Sequence, residues 1–574
     1  MNPLFMGEGC SGIVAMEPIG YSDAMACYAS FSMEKGLATR VTNTLKLASQ
    51  LYIYGDISMA PPEPAIADRV NITQDLDKLA AKKHIREWQF HTELSRYFNG
   101  LGDGHYTYVS GCFSRFEFIM PLPLAVEGDE VRVVNDLELD PKIMQWYLAL
   151  GIHITQFQGA LVLGIEGKPP LEYLSRYAKK HVGTSKDANA RLQLTLARTI
   201  HREGKWGISY GAFFSTTIPP EKDSLSFKIR IKQATVDYTM PYVARTSTHF
   251  NTTMSFYQTC STQSANVQRI DNRNHSHILT PKSTAYSHAL LNPHLNGKYI
   301  NLYQMPNNFA TLTINSSQPN DTEAWVREAF TWIHVARLNN LTGLIIDISD
   351  ATGDNTCLAY QLLNYLFPKE QNTLFSDTRH SPLTTLMGPP FDESKYLRPT
   401  HFYLLPDQTK PGPITHYRGK IHGQYSTLLV DNCSSHNQHY PGFNTISPVS
   451  WKKLSLLTNS ACFESCAVFA NILREVHSVR TYTHTLFPNS TPPSAIASMP
   501  STNQVIISHI QDKLHQYPLL PISIAHALPL REFYSTNYAR IRPLMFTAPR
   551  NTYPVPPSSL HPNKQWSFIV NHRT

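Results

Sequence analysis

The stretch SACFESCAVFANILRE, Ser460 to Glu475, decides how this chain is read. An apolar run, Leu454-Ser455-Leu456-Leu457, leads into it. A tight turn follows, carrying Cys462, Glu464, Ser465 and Cys466. Beyond it Ala467, Phe469, Ile472, Leu473 and Val476 recur at helical spacing. A strand, a turn with a polar side chain and a helix is how a nucleophile is presented. The free N–H groups of the helix stabilise negative charge close by. A serine before an apolar helix also serves as a cap, and on this stretch alone capping is its commoner use.

The 574 residues predict two to four domains at roughly 150 residues each. With 42% hydrophobic and 16% charged residues, the chain can bury a sizeable core. The net charge of +7 is scattered, without a basic block, so nucleic acid is not an expected partner. No run of about 18 apolar residues exists, so no membrane span is expected. Eight cysteines in this length do not make a disulfide scaffold, and no CxxC pair has zinc spacing. A bond between Cys462 and Cys466 would be local. Asn-x-Ser/Thr sequons, among them Asn71, Asn251 and Asn340, lean towards secretion. The first twelve residues lack the basic start and apolar run of a signal peptide.

Along the chain, Glu34 to Leu51 and Leu76 to Phe98 have helical patterns, the second stopped by Asn99-Gly100. Asp103-Gly104-His105 reads as a tight turn pointing His105 away from the helices. Phe116 to Ile119 reads as a strand. Gly159 to Gly167 reads as a strand into a turn, and Pro170 to His181 as an amphipathic helix. Residues 246–290 read as a polar surface excursion, whose His275, Ser276, His277 and His288 give only a weak metal signal. Strands and helices then alternate. Tyr299–Tyr303, Ala310–Ile314, Leu344–Ile348, Tyr425–Val430 and Lys453–Leu457 read as strands; Glu323–Leu338 and Cys357–Phe367 read as helices. This predicts an α/β core with crossover helices, its chemistry in the loops at 349–354 and 459–465. Residues 369–424 read as irregular, Val505 to Ile510 as one more strand, and the end from Asn551 as loose.

These stations together resemble the tail-specific (C-terminal processing) serine peptidases. The nearer likeness is to the branch of the chlamydial protease-like activity factor and its fungal relatives. Ala26-Cys27-Tyr28-Ala29-Ser30-Phe31 is similar to an early "aCxxSF". Asp103-Gly104-His105 with Phe116-Glu117-Phe118 is similar to "DGHxxY…FxF". Leu344 to Ser349 resembles the "LIIDLSGNGGG" strand, and Leu457-Thr458-Asn459 with Cys462, Cys466, Ala467 and Phe469 resembles "LTDGxCxSxCAxF". Gly159 to Gly167 with Leu171 to Leu174 resembles a PDZ-like insert, and Leu528 to Phe533 a C-terminal "PLEF".

The resemblance implies an α/β fold with a helical N-terminal region, a small PDZ-like insert and a ClpP/crotonase-like β-α-β peptidase core. The expected layout is 1–125 helical with the Asp-Gly-His turn, 126–245 the insert, 246–296 a polar linker, 297–550 the core and 551–574 a loose tail. It implies a serine-type endopeptidase acting on extended protein or peptide segments through an acyl-enzyme. Ser465 would be the nucleophile, His105 the base and Glu532 its orienting group, with the backbone N–H groups of Cys466 and Gly353 facing the oxyanion. No cofactor or metal is implied, and oligomeric state is left open. Secretion is expected, with the export signal missing from this sequence, because Cys10 stands where relatives have an early cysteine past that signal. A cytoplasmic protein with reduced thiols is the alternative.

Two departures matter. The glycine-rich loop is here Ser349-Asp350-Ala351-Thr352-Gly353-Asp354, with one glycine left and two carboxylates that would repel an oxyanion. Counting back from Phe469, the nucleophile position falls on Glu464, with Ser465 one place later. The alternative function is therefore a catalytically inactive relative that binds peptides or proteins.

Overall fold

The computed structural model describes residues 8–60, 69–262, 295–366 and 451–486, apart from short breaks, with isolated strands between 375 and 555. Helices lead. They are α1 (Tyr21–Ala29), α2 (Leu37–Ala48), α3 (Ile72–Ala81) and α4 (Glu87–Leu101). The helical pattern expected over Leu76 to Phe98 is broken between α3 and α4. There the chain extends beside residues 31–33: Met33 N–H donates to Ile85 O (3.2 Å) and Glu87 N–H to Phe31 O (3.3 Å). Backbone pairing with a remote segment overrides propensity at this point. The helix stop also lies later than expected, at Gly102.

Strand β1 (Thr107–Ser110) follows that stop. Then come β2 (Leu124–Glu127), β3 (Glu130–Val133), β4 (Leu161–Ile165), α5 (Pro170–His181), α6 (Ala188–Thr195), β5 (Ser224–Ile231) and β6 (Ala234–Pro241). The five strands form one antiparallel sheet in the order β6-β5-β4-β3-β2. Helix α7 (Thr253–Thr262) occupies part of the expected polar excursion. It forms because Phe256 is fully buried against Tyr28, Phe31 and Phe250, an aromatic cluster invisible in the surrounding Ser/Thr-rich sequence. His275, Ser276, His277 and His288 lie outside the described residues.

The core is a second, mainly parallel sheet. Its elements are β7 (Ile300–Met305), β8 (Phe309–Ile314), α8 (Thr322–Leu338), β9 (Gly343–Asp347), α9 (Thr356–Leu366), β10 (Lys453–Thr458), α10 (Ser465–Glu475) and β11 (Arg480–His484). Strands β8 to β11 are neighbours and parallel, joined by the three helices. Every residue of β9 is buried, as a parallel strand covered on both faces requires. Ile346 and Leu456 share one apolar cluster with Trp325, Leu363 and Phe469 from the helices.

Among the described residues the C-terminal part adds Gln504–Ile506, at the start of the strand expected over Val505 to Ile510, and β12 (Ile524–Pro529), which pairs with it, β13 (Arg531–Tyr534) and β14 (Thr552–Val555). Strand β14 pairs in parallel with β11, so the tail expected to be loose from residue 551 begins with an edge strand of the core. Its prolines hid it; an edge strand tolerates them because one side makes no ladder. The stretch read as irregular over 369–424 likewise holds strands, at Phe375–Thr378, Phe402–Leu404, Ile414–Arg418 and Ile421–Tyr425. Leu429–Asp431 pairs with the first two; of the strand expected over Tyr425 to Val430, Tyr425, Leu429 and Val430 are strand residues and 426–428 lie outside the described residues.

Candidate functional site

Three turns build the site. The first ends α4. Gly102 has φ +64°, and a Cβ there would come within 2.5 Å of an Arg191 nitrogen and 2.7 Å of Ser185 O, so glycine is required on two counts. Lys186 Nζ donates to Leu101 O at 2.7 Å, placing a cation at the negative end of the helix. Asp103 is fully buried and accepts from Tyr52 Oη at 2.9 Å. Burial and the Asp103 charge hold the Tyr52 hydroxyl well above its usual range, so it remains a donor. Tyr106 stacks on Tyr52 with ring centroids 4.3 Å apart.

His105, between these anchored neighbours, lies outside the described residues. Strand β1 begins two residues later and pairs antiparallel with β12, Thr107 opposite Ala527. β12 runs into β13, whose backbone carries Glu532 opposite Asp377. Position 532 is thus tied through one strand pair to the segment that follows position 105. The Glu532 side chain is outside the described residues.

The second turn leaves the carboxyl end of β9. Asp350 takes φ +56°, and its N–H donates to Asn459 Oδ1 at 3.1 Å. Its carboxylate accepts from Asn459 Nδ2 at 2.7 Å and from Arg198 Nε at 2.5 Å. The repulsion expected from this carboxylate is therefore countered by a guanidinium from another part of the chain. Gly353 has φ +142°, a conformation that L side chains rarely adopt. The glycine left in this loop stands where the backbone needs one. Asp354 is outside the described residues.

The third turn leaves the carboxyl end of β10. Ser460, at φ +66°, is buried, and its hydroxyl accepts from Asn189 Nδ2 at 3.1 Å. Phe463 N–H donates to Ala351 O at 3.1 Å, lashing the second and third turns together. Ser465 opens α10 and is fully buried. Its N–H and its hydroxyl both donate to Gly353 O, at 2.9 and 2.5 Å. Cys466 N–H donates to Phe463 O at 3.1 Å. Cys462 and Cys466 are joined as a disulfide across the turn. Glu464 lies outside the described residues. Ser465, Cys466 and Gly353 are thus brought together, with the Gly353 carbonyl facing the serine.

Helix α6 and the residues around it bind the three turns to one another. On one side Ser185, Lys186 and Arg191 hold the end of α4. On the other, Ala190 and Leu194 pack on Ala461 and Phe463. Asn189 Nδ2 also donates to His484 O at 2.8 Å, and Gln193 Nε2 to His484 Nδ1 at 2.8 Å. Burial pushes the His484 imidazole down to about 4. Asn189, Gln193, Arg198 and His484 escaped sequence reasoning. The signal available was weak: a helix with Asn, Arg and Gln among small residues reads as solvent-exposed, yet those side chains are buried.

A cleft lies over these turns. Thr107 and Tyr108 of β1 border it on one side, Asp350 and Phe463 on another, and His181, Thr184 and Ser215 on the wall contributed by residues 181–219.

No family model and no curated protein matches the sequence. Solved structures do match. The crystal structure of mature CPAF aligns over 93% of this chain and 96% of its own, with TM-score 0.50 and 13% identity. A CPAF mutant aligns over 93% and 96%, with TM-score 0.50 and 14% identity. The photosystem II D1 C-terminal processing protease aligns over 92% and 94%, with TM-score 0.32 and 9% identity. At such identities the likeness is one of fold, and it extends over nearly the whole length of both chains. By its fold, this chain is similar to mature CPAF.

Proposed function

We propose that this protein is a serine-type endopeptidase acting on extended segments of protein or peptide. The observation that carries the reading is the position of Ser465. It opens a helix at the carboxyl end of a parallel strand, and Phe463, two residues before it, lines a cleft that the strand following position 105 also borders. In this reading His105 takes the Ser465 proton, Ser465 attacks the scissile carbonyl, and Glu532 orients the imidazole. The N–H of Gly353 would face the oxyanion once the 349–354 loop has turned, and that of Cys466 once it has left Phe463 O. Gly353 has the conformational freedom for such a peptide rotation.

The same reading takes the antiparallel sheet β2–β6 with its helices as a PDZ-like insert and β8–β11 as a ClpP/crotonase-like core. It also places the protein outside the cytoplasm. The disulfides Cys10–Cys27 and Cys462–Cys466 persist in oxidising compartments, and the sequon residues Asn71, Asn251 and Asn340 are exposed. Among the described residues no helix is long and apolar enough to cross a membrane.

One observation favours a second reading, a peptide-binding relative without chemistry. Ser465 is fully buried with its hydroxyl and N–H both given to Gly353, and the Cys466 N–H is already bonded. Labelling with a fluorophosphonate serine-hydrolase probe separates the two. The peptidase reading expects the wild type to label, Ser465→Ala to lose the label, and His105→Ala to slow it by orders of magnitude. A wild type that stays unlabelled, or an alanine variant that labels equally, hands the case to the binding protein.

A further inference from the structure

The cleft over the three turns is bordered by a guanidinium that is only partly engaged. Arg198 and Asp350 both line it. Arg198 begins the strand Arg198–Arg202, which pairs with Lys205–Ser209, so its backbone is fixed opposite Ser209. Its Nε donates to Asp350 Oδ1 at 2.5 Å. Its terminal nitrogens, Nη1 and Nη2, donate to no acceptor among the described residues. Nε of Arg96 is unpaired and sealed from solvent; the Arg198 terminal nitrogens are not sealed, and the side chain is 18% exposed. A guanidinium is a planar fork of donors that takes a carboxylate through two parallel bonds. One edge of this fork is spent on Asp350 and the other is open.

Asp350 has no such surplus. Its Oδ1 accepts from Arg198 and its Oδ2 from Asn459 Nδ2 at 2.7 Å. The excess at this pair is therefore in donors, and it calls for a ligand that accepts. Among the described residues no other charged side chain lines the cleft to compete for that ligand. His181 adds no charge at neutral pH, because burial, helped by the Arg96 charge, pushes its imidazole down to about 3. The pair also lies close to the candidate nucleophile. Phe463 lines the same cleft two residues before Ser465, and Asp350 belongs to the loop whose Gly353 carbonyl meets the Ser465 hydroxyl.

Resting on the endopeptidase reading, we propose that Arg198 is a specificity-determining residue whose open edge receives the side-chain carboxylate of an aspartate or glutamate in the substrate. An endopeptidase takes a chain that continues past the site, so the carboxylate comes from a side chain and not from a terminus. Asp350 and the substrate then share one guanidinium, each on its own edge. A lysine is repelled by the Arg198 charge and finds both Asp350 oxygens already bonded. A glutamine accepts a bond without charge, which is weaker. A leucine strips the open edge of water and gives nothing in return.

The test is binding, so that it does not depend on turnover. Full-length Ser465→Ala protein is titrated with fluorescent hexapeptides, capped at both ends, in which each position in turn is fixed as Glu, Asp, Gln, Leu or Lys within an otherwise mixed neutral sequence. A second set has neutral side chains and a free C-terminus. At one position Glu or Asp should bind about ten-fold tighter than Gln, Leu or Lys. Adding Arg198→Gln should abolish that gain while neutral peptides still bind. Arg198→Gln together with Asp350→Asn should do the same; this pair leaves the net charge of the cleft unchanged and strands no carboxylate, so it covers the case in which the single change does not fold. A gain that survives either change, a gain from the free terminus alone, a preference for Lys or Leu, equal binding of all peptides, or no binding overturns the assignment. A wild type that fails to label with fluorophosphonate while the acidic preference holds would remove the peptidase reading alone. Labelling without any acidic preference would remove this inference alone.

Discussion

At Gly353 a single residue type carries two demands. The backbone there has φ +142°, and its carbonyl receives both the hydroxyl and the N–H of Ser465. A Cβ at such a φ costs about 1–3 kcal/mol. Gly353→Ala should therefore lower the unfolding free energy by that amount in urea titrations and shift the Ser465 turn. An unchanged midpoint would mean that the loop has another comfortable conformation. His484 makes a second residue-scale case. Burial holds its imidazole at about 4, against an ordinary value of 6.5. The unfolded chain takes up this proton as pH falls through about 6.5, while the folded chain refuses it until about 4. Stability is therefore undiminished by this group above pH 6.5 and falls between 6.5 and 4. The loss approaches about 3 kcal/mol, at roughly 1.4 kcal/mol for each tenfold change in proton concentration. Melting temperatures measured across that window should drop less steeply in His484→Gln, whose amide oxygen can still accept from Gln193. A slope equal to the wild type would show that other groups govern the acid limb.

Among the elements, the loop after β9 and the segment after α6 act as a pair because Arg198 and Asp350 are both largely buried, with side chains 18% and 12% exposed. Removing one partner strands the other's charge, which costs about 1–3 kcal/mol at this degree of burial. Arg198→Gln and Asp350→Asn should each destabilise by that much. The double change should cost clearly less than their sum in a denaturation cycle, whereas strict additivity would mean that the pair is not coupled. The disulfide between Cys462 and Cys466 closes a short loop, for which chain entropy predicts about 2 kcal/mol. Changing both cysteines to serine should cost near that figure in thermal unfolding. These elements were unequally legible. The parallel strand at Leu344, the helix at Pro170 and the helix at Ser465 came directly from hydrophobic periodicity, since burial on defined faces writes itself into the chain. The break between α3 and α4 did not, because it answers to residues 31–33, far away in sequence.

For the whole molecule, the decisive feature is that residues 185–198 stand between the Asp103-Gly104 turn and the two loops of the parallel sheet. Asn189 is the clearest coupling point. It touches Ser460, the His484 carbonyl and the Leu486 N–H at once. Asn189→Ala should cost about 2 kcal/mol through the buried partners left unpaired. It should also speed amide hydrogen exchange at Leu486 well beyond the global change. Exchange that rises uniformly across the protein would argue against a local bracket. The chain by itself determined its core. Apolar runs and helical spacing fix an α/β sheet with crossover helices, and the turn at Ser465 is visible because local geometry and burial leave local patterns. It did not determine the neighbourhood of that turn. The Arg198–Asp350 pair, the Asn189 bracket and the neutral histidines join positions up to hundreds of residues apart. Contacts of that kind are set by which faces pack together, and no periodicity in the sequence records them.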